Sequence, residues 1–332
     1  MAETTTPRAM IRAILRGEPL PRPLLLPIVF AMGARLEDLS LRAFQSNPTK
    51  IAHSLRQIRN TLGLDGVSCY FDPFLEAEAL GCRIDWNADD SRCVVHARAE
   101  NEADPHLAVS VEGVPTRGRI PVACDVLRRL KMMLQGEPAL MIRVTGPLKL
   151  AAQLREGACA AGLNTAGLND FAAGVAAAVS RSFLEAGANV IFLQEDPDLI
   201  EDAPHWASML APVVNAIRFY EALPVLLLQG QLRMDAVAAL NASCGGVICP
   251  RAIDLGSQTN SPSLASGSAI CRPSACFLPT EDPGSLRTIL QSLVQDSTVS
   301  IVTSDGDIPE RVDIRYLASV LGTLRSLSRK AA

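Results

Sequence analysis

Two spacings of apolar residues alternate along the chain. Short, nearly unbroken apolar runs of strand length fall at 24–30, 66–72, 139–145, 188–194, 224–229, 245–249, 269–272 or 275–278, and 298–303. Between most of them, apolar positions return every three or four residues, the period of a helix with one buried face. Those helical stretches are 48–62, 169–186, 205–221, 233–240, 285–294 and 314–328. Asn47 and Pro48 suit the cap and first position of the first of these, and Asn169 or Asp170 caps the second, which stops at Gly187. Buried strands alternating with helices imply βα units and a parallel sheet. Eight strands, the seventh having two candidate positions, predict a (β/α)8 TIM barrel in a single domain. Two stretches break the rhythm. Residues 83–121 read as a β-hairpin excursion, with strands at 93–97 and 108–111, and 251–268, rich in Ser, Gly, Asn and Pro, read as a long loop.

Composition narrows the partners. A chain of 332 residues, 48% hydrophobic, carries enough apolar side chain for one large core. Its net charge of -4 leaves no basic surplus for a phosphate backbone, and 4% aromatics leave few platforms for base stacking, so nucleic acid is not expected. No apolar run has the length of a membrane span, and the polar start from Met1 to Pro7 lacks the pattern of a signal peptide. Nine cysteines outside any small disulfide framework fit the reducing cytoplasm.

In a β/α barrel the chemistry sits where the strands end. Asp72 stands there, before Pro73 and a helical turn. It is a candidate catalytic group or, alternatively, a turn and cap residue. Glu195 and Asp196 end the fourth strand, where adjacent carboxylates raise one another's pKa and suit a general acid. Asp305 and Asp307 flank a glycine after the eighth, a pattern fit for acid–base work or for a simple turn. Arg143 lies inside an apolar strand, so it must pair with a rim carboxylate or face the cleft, and Arg35 is the other candidate cation. So acidic a mouth suits a neutral or cationic substrate. The pairs Cys244/Cys249 and Cys271/Cys276 are spaced too widely for the usual structural zinc site, and His53, His96, His106 and His205 fall in helices or the excursion.

Several segments carry a family likeness. Gly63-Leu64-Asp65-Gly66-Val67, then Phe71-Asp72, then Ala79-Leu80-Gly81 resemble the second-strand region of the uroporphyrinogen decarboxylase superfamily. Val144-Thr145-Gly146-Pro147-Leu148-Lys149 resembles its glycine–proline turn, Ala186-Gly187-Ala188-Asn189-Val190-Ile191 its fourth strand, and Gly306-Asp307-Ile308-Pro309 its last turn. The superfamily holds the decarboxylase of haem synthesis and methyltransferases that work with corrinoid proteins; the Glu76–Cys82 wording is closer to the latter. The resemblance implies methyl transfer between a small methylated molecule and a corrinoid presented by a partner protein, with no covalently bound cofactor and with Asp72, Glu195 and Asp307 as catalytic candidates. It implies two alternatives: uroporphyrinogen decarboxylation, with Asp72 on the pyrrole nitrogens and Arg35 on a carboxylate, or a barrel that binds a tetrapyrrole or a partner without catalysis. It also implies a homodimer. The zinc ligands of the thiol-activating branch are replaced by Gln229 and Gln231 after the fifth strand and by Ser304-Asp305 in the last turn, so zinc is not expected. Those glutamines and Gln153, near the place of a cleft tyrosine in the decarboxylase, are candidate substrate-binding residues, together with Arg35, Arg143, Asp196 and Asp305.

Overall fold

Pro27 ends the first strand early, because it has no N–H to give to a ladder. In the computed structural model this strand, β1, is Leu24–Leu26. The structure describes residues 6–88, 90, 93–96, 110–157, 159, 163–228, 232–250, 270–272, 277, 300–304 and 306–326.

The remaining strands are β2 (Gly66–Tyr70), β3 (Arg83–Trp86), β4 (Cys93–His96), β5 (Ala139–Thr145), β6 (Val190–Glu195), β7 (Leu223–Leu228), β8 (Cys249–Pro250), β9 (Ile270–Arg272) and β10 (Ile301–Thr303). Leaving out β3 and β4, they are all parallel, in two arcs ordered β2-β5-β6-β7 and β1-β10-β9-β8. A parallel bridge between Val225 and Ile248 joins β7 to the residue before β8. This is the strand order of a (β/α)8 barrel, and β9 falls at the first of the two places expected for the seventh strand. Where β1 faces β2, the Leu25 amide donates to Asp65 Oδ2 at 2.9 Å, and Arg22 grips Asp65 through two contacts of 2.5 and 2.9 Å.

Strand residues alternate between two cores. Leu24, Leu26, Ala139, Met141, Val190, Phe192, Val225, Leu227 and Ile301 form one cluster, which the first helix, α1 (Pro7–Leu15), joins through Met10, Ile11 and Ile14. Leu25, Leu140, Ile142, Ile191, Leu193 and Leu226 belong to the other, packed among the surrounding helices. The first set lines the barrel and the second faces outward. Gly66 belongs to the inner set because a Cβ there would come within 2.5 Å of Leu26 Cδ2.

The helices follow their sequence signals, with shifted ends. They are α2 (Ala31–Leu36), α3 (Leu41–Gln45), α4 (Pro48–Leu62), α5 (Leu75–Ala79), α6 (Ile120–Met133), α7 (Pro147–Glu156), α8 (Thr165–Ala186), α9 (Ala203–Phe219), α10 (Met234–Ser243) and α11 (Ile314–Ser326). Asn47 caps α4 as expected, accepting from the Lys50 amide at 3.1 Å. The long helix α8 starts earlier than expected: Asn164 caps it, accepting from the Gly167 amide at 2.8 Å, which leaves Asn169 inside the helix. Gly187 ends it at φ 117°, a left-handed conformation that favours glycine.

The excursion differs from its expected form. Cys93–His96 pairs antiparallel with Arg83–Trp86. Val111–Thr116 is a 3-10 turn leading into α6. Ala108, the helical stretch 285–294, the loop 251–268 and the alternative strand 275–278 lie, wholly or almost so, outside the described residues. No helix among the described residues is long and apolar enough to cross a membrane.

Candidate active site

Toward the C-terminal ends of the strands the barrel interior turns polar. Arg143 and Thr145 continue the inward parity of β5, as Gln194 does on β6, and all three are buried. A guanidinium there is stable only if its charge is matched and its N–H groups are satisfied. Arg143 Nη1 donates to the Asp72 carbonyl at 2.6 Å, Nη2 to the Pro73 carbonyl at 3.2 Å, and Nε to Gln194 Oε1. Glu76 supplies the counter-charge at 3.6 Å. Glu76 is fully buried and accepts from the Thr145 amide at 3.0 Å and the Thr145 hydroxyl at 2.5 Å, so α5 is fixed to the end of β5. Burial pulls the Arg143 pKa down, while Glu76 and then Asp72 oppose it. Arg143 is thus paired with a carboxylate, and it lies on the inner face of the barrel.

Asp72 is enclosed in a second charge cluster. Its Oδ1 accepts from the Phe74 amide at 2.9 Å, closing an Asx turn, and its Oδ2 lies 2.7 Å from Arg119 Nη2. Arg119 immediately precedes α6; its Nε donates to Glu78 Oε2 at 2.8 Å, its Nη1 to Gln45 Oε1, and its guanidinium stacks 5.6 Å from the Trp86 ring. Burial works against the Arg119 charge, but Asp72, Tyr70 and Glu78 outweigh it and raise its pKa. The Asp72 side chain has no exposed surface.

Glu195 and Asp307 hold helix starts. Glu195 takes the outward parity of β6, toward α7 and α9. Its oxygens accept from the amides of Leu148 at 3.1 Å and Lys149 at 3.0 Å, and the Trp206 indole N–H approaches to 3.4 Å. Exposed donors and the dipole of a helix N-terminus favour a carboxylate. Against them, complete burial pushes the Glu195 pKa up to about 7. Asp307 accepts at 2.7 Å from the amides of both Phe30 and Ala31 at the start of α2, and burial raises its pKa to about 7 as well.

The other expected residues are dispersed around the rim. Gln153 Nε2 donates to the Pro73 carbonyl at 2.9 Å, the acceptor it shares with Arg143, while its buried Oε1 has no partner among the described residues. Asp196 is half-buried and accepts from the Asp198 amide at 3.1 Å. Arg35 is exposed and donates to the Glu310 carbonyl at 2.8 Å, tying α2 to the last turn. Gln229, Gln231 and Asp305 lie outside the described residues. Asp72, Arg143 and Gln153 therefore converge on the Asp72-Pro73 turn, and Glu195 and Asp196 flank the start of α7. Asp307 and Arg35 both tie α2 to the last turn.

Four further residues belong to this constellation. Glu76 and Glu78 lie inside the quoted family segment, where their wording was visible but their partners were not. Arg119 is far from Asp72 in sequence and carries no local signal. Lys149 stands one turn before Gln153 on α7. It is half-buried and forms no ion pair with any described residue. Burial and then Arg143 lower its pKa, opposed by Asp196 and Glu195. Among the described residues, no group of three or more His, Cys, Asp or Glu is arranged to hold a metal ion. Cys244 and Cys249 are buried thiols, pushed up to about 11 and about 12 by that burial.

The family model for uroporphyrinogen decarboxylase (URO-D) matches residues 6–214, a span that holds Asp72, Arg119, Arg143 and Glu195. The chain belongs to the uroporphyrinogen decarboxylase family. Members of this family are enzymes, decarboxylases and methyltransferases among them. A methyltransferase from Methanosarcina mazei superposes on this URO-D family chain with a TM-score of 0.74, over 97% of this chain and 98% of that one, at 16% identity; the likeness shows the fold. A putative vitamin-B12-independent methionine synthase from Listeria monocytogenes covers 93% of this chain and 98% of its own at 11% identity, with a TM-score of 0.48. No curated protein matches this URO-D family sequence.

Proposed function

We propose that the protein transfers a methyl group from a small neutral or cationic molecule to a corrinoid carried by a partner protein. The observation that carries this reading is the state of the buried arginines at the cleft. Arg119 is paired with Asp72 and Glu78, and Arg143 with Glu76 and three oxygen acceptors. Neither has a free fork to offer a carboxylate. A substrate with many carboxylates, such as uroporphyrinogen, would have to break these pairs, and each break strands a buried charge at roughly 3–5 kcal/mol. A small methylated molecule requires no such exchange. The shared fold with a methyltransferase agrees with this reading.

The chain's own residues act by position. The Asp72–Arg119 and Glu76–Arg143 pairs fix the turn after β2 against β5 and α6, and the Glu195 cap fixes the start of α7. Rigid anchors of this kind serve to hold a substrate in one orientation. In this reading the corrinoid is a second substrate that supplies the electron pair receiving the methyl group, and no described residue is assigned to hold it.

The test is anaerobic incubation of the purified protein with reduced cobalamin and a panel of O-, N- and S-methyl compounds, followed by absorbance. Protein-dependent formation of methylcobalamin from one donor class is the expected result. Failure with every class, together with conversion of uroporphyrinogen to coproporphyrinogen, would replace this reading with decarboxylation.

A further inference from the structure

Lys149 and Gln153 are four residues apart on α7, so their side chains lie on one face of the helix. That helix begins at the C-terminal end of β5, and its start is held by Glu195. Gln153 is only 6% exposed, donates to the Pro73 carbonyl at 2.9 Å, and leaves its buried Oε1 without a partner among the described residues. An orphaned buried amide oxygen is costly, so it calls for a donor that arrives with a ligand. Lys149 is half-buried and has no ion pair among the described residues. The carboxylates expected to move protons are committed elsewhere. Asp72 is paired with Arg119, and Glu195 and Asp307 each accept two backbone N–H groups at helix starts.

We infer that Lys149 and Gln153 form the subsite for the leaving atom of the methyl donor. The Lys149 ammonium protonates the oxygen or nitrogen that loses its methyl group, and Gln153 Oε1 accepts an N–H or O–H from the same molecule. The inference rests on the methyl-transfer reading above. In the step, the bond between the methyl carbon and its oxygen or nitrogen breaks, and the electron pair stays on that atom, which takes the proton from Lys149 Nζ. The methyl carbon is bonded by the electron pair of the acceptor. Lys149 is left neutral and regains a proton from solvent. The substrate class is therefore a small methyl ether or N-methyl amide bearing a nearby hydroxyl or N–H. Arg143, Asp196 and Glu195 are the charged groups that act on Lys149, and burial lowers its pKa toward the range useful for proton transfer.

The experiment compares wild type, Lys149→Met and Lys149→Arg for methyl transfer to reduced cobalamin. Two donor types are used: methyl ethers, whose leaving oxygen needs a proton, and quaternary ammonium compounds, whose amine leaves neutral. With ethers, both variants are expected to lose about 100-fold or more in kcat, because arginine keeps the charge but not a transferable proton. With quaternary donors, which need no proton, any change in kcat is expected to be about 10-fold smaller than with ethers. In wild type the ether rate is expected to fall as pH rises through the lowered Lys149 pKa, a limb absent from both variants. Equal losses on both donor types would mark a merely structural lysine and overturn the inference, as would full ether activity in Lys149→Met. A wild type inactive with every donor overturns the methyl-transfer reading itself. A separate readout needs no turnover: Lys149 should acylate faster than exposed lysines near neutral pH, as followed by peptide mass, and slow acylation counts against the inference.

Discussion

Gly146→Ala is expected to destabilise the protein, although at most positions with this backbone it would do the reverse. Gly146 has φ -69° and ψ 161°, an extended conformation open to alanine. Such a change normally adds about 0.4–1 kcal/mol by restricting the unfolded chain. Here the new Cβ would stand 2.3 Å from Glu195 Cδ and 2.5 Å from its Oε1, so the carboxylate must leave the start of α7. It would lose its bonds from Leu148 and Lys149. Two hydrogen bonds to a charged group are worth about 3–6 kcal/mol together, and relaxation of the helix start recovers part of that. The expected net loss is about 3 kcal/mol, read as a lower urea midpoint with an unchanged slope. In a Glu195→Ala background the clash is gone, and Gly146→Ala should become neutral or stabilising by a few tenths. A wild-type-like midpoint for the single variant, or the same loss in both backgrounds, would refute the reasoning.

Arg119→Met should leave Asp72 buried and unpaired, at a cost of about 3–5 kcal/mol, and adding Asp72→Asn should recover most of it; a simple sum of the two losses in urea melts would contradict the pairing. Glu76→Gln should cost a similar amount by stranding Arg143, and a loss below about 1 kcal/mol would show that the carbonyl acceptors alone suffice. The Glu195 carboxyl sits at about 7 in the folded protein, above the usual ~4.3, so the folded state binds the proton more tightly. Its stabilising share is complete below about pH 4 and is lost as pH rises to about 7, for an order of magnitude of 3 kcal/mol. The difference between wild type and Glu195→Gln, measured by denaturant at a series of pH values, should therefore shift against wild type across that window. A shift in its favour would reverse the sign.

The barrel was legible because its strands are short apolar runs ended by particular residues. Ala139–Thr145 was read to the residue, and Asn47, Pro48 and Gly187 marked real helix ends. The beginning of α8 was misplaced because Asn164, Asn169 and Asp170 are all adequate caps, and only packing chooses among them. The pairing of Cys93–His96 with Arg83–Trp86 was not legible, because register depends on neighbours that a single strand does not name. Within the site, strand-end position identified Asp72, Glu195 and Asp307 but not their partners. Inward or outward parity settles Glu195, which faces α7 and caps it. Arg119 was invisible, since nothing near it in sequence says that it will meet Asp72.

The most direct test of the central claim is retention of uroporphyrin by the folded protein in equilibrium dialysis, at low and at moderate salt. If the buried arginines are already neutralised by Asp72, Glu76 and Glu78, Lys149 is the one cation this polycarboxylate meets among the described residues named at the site, and no retention is expected in the micromolar range at either salt concentration. Stoichiometric, salt-sensitive retention at micromolar concentration would mean that the pairs open for carboxylates, and would contradict the account.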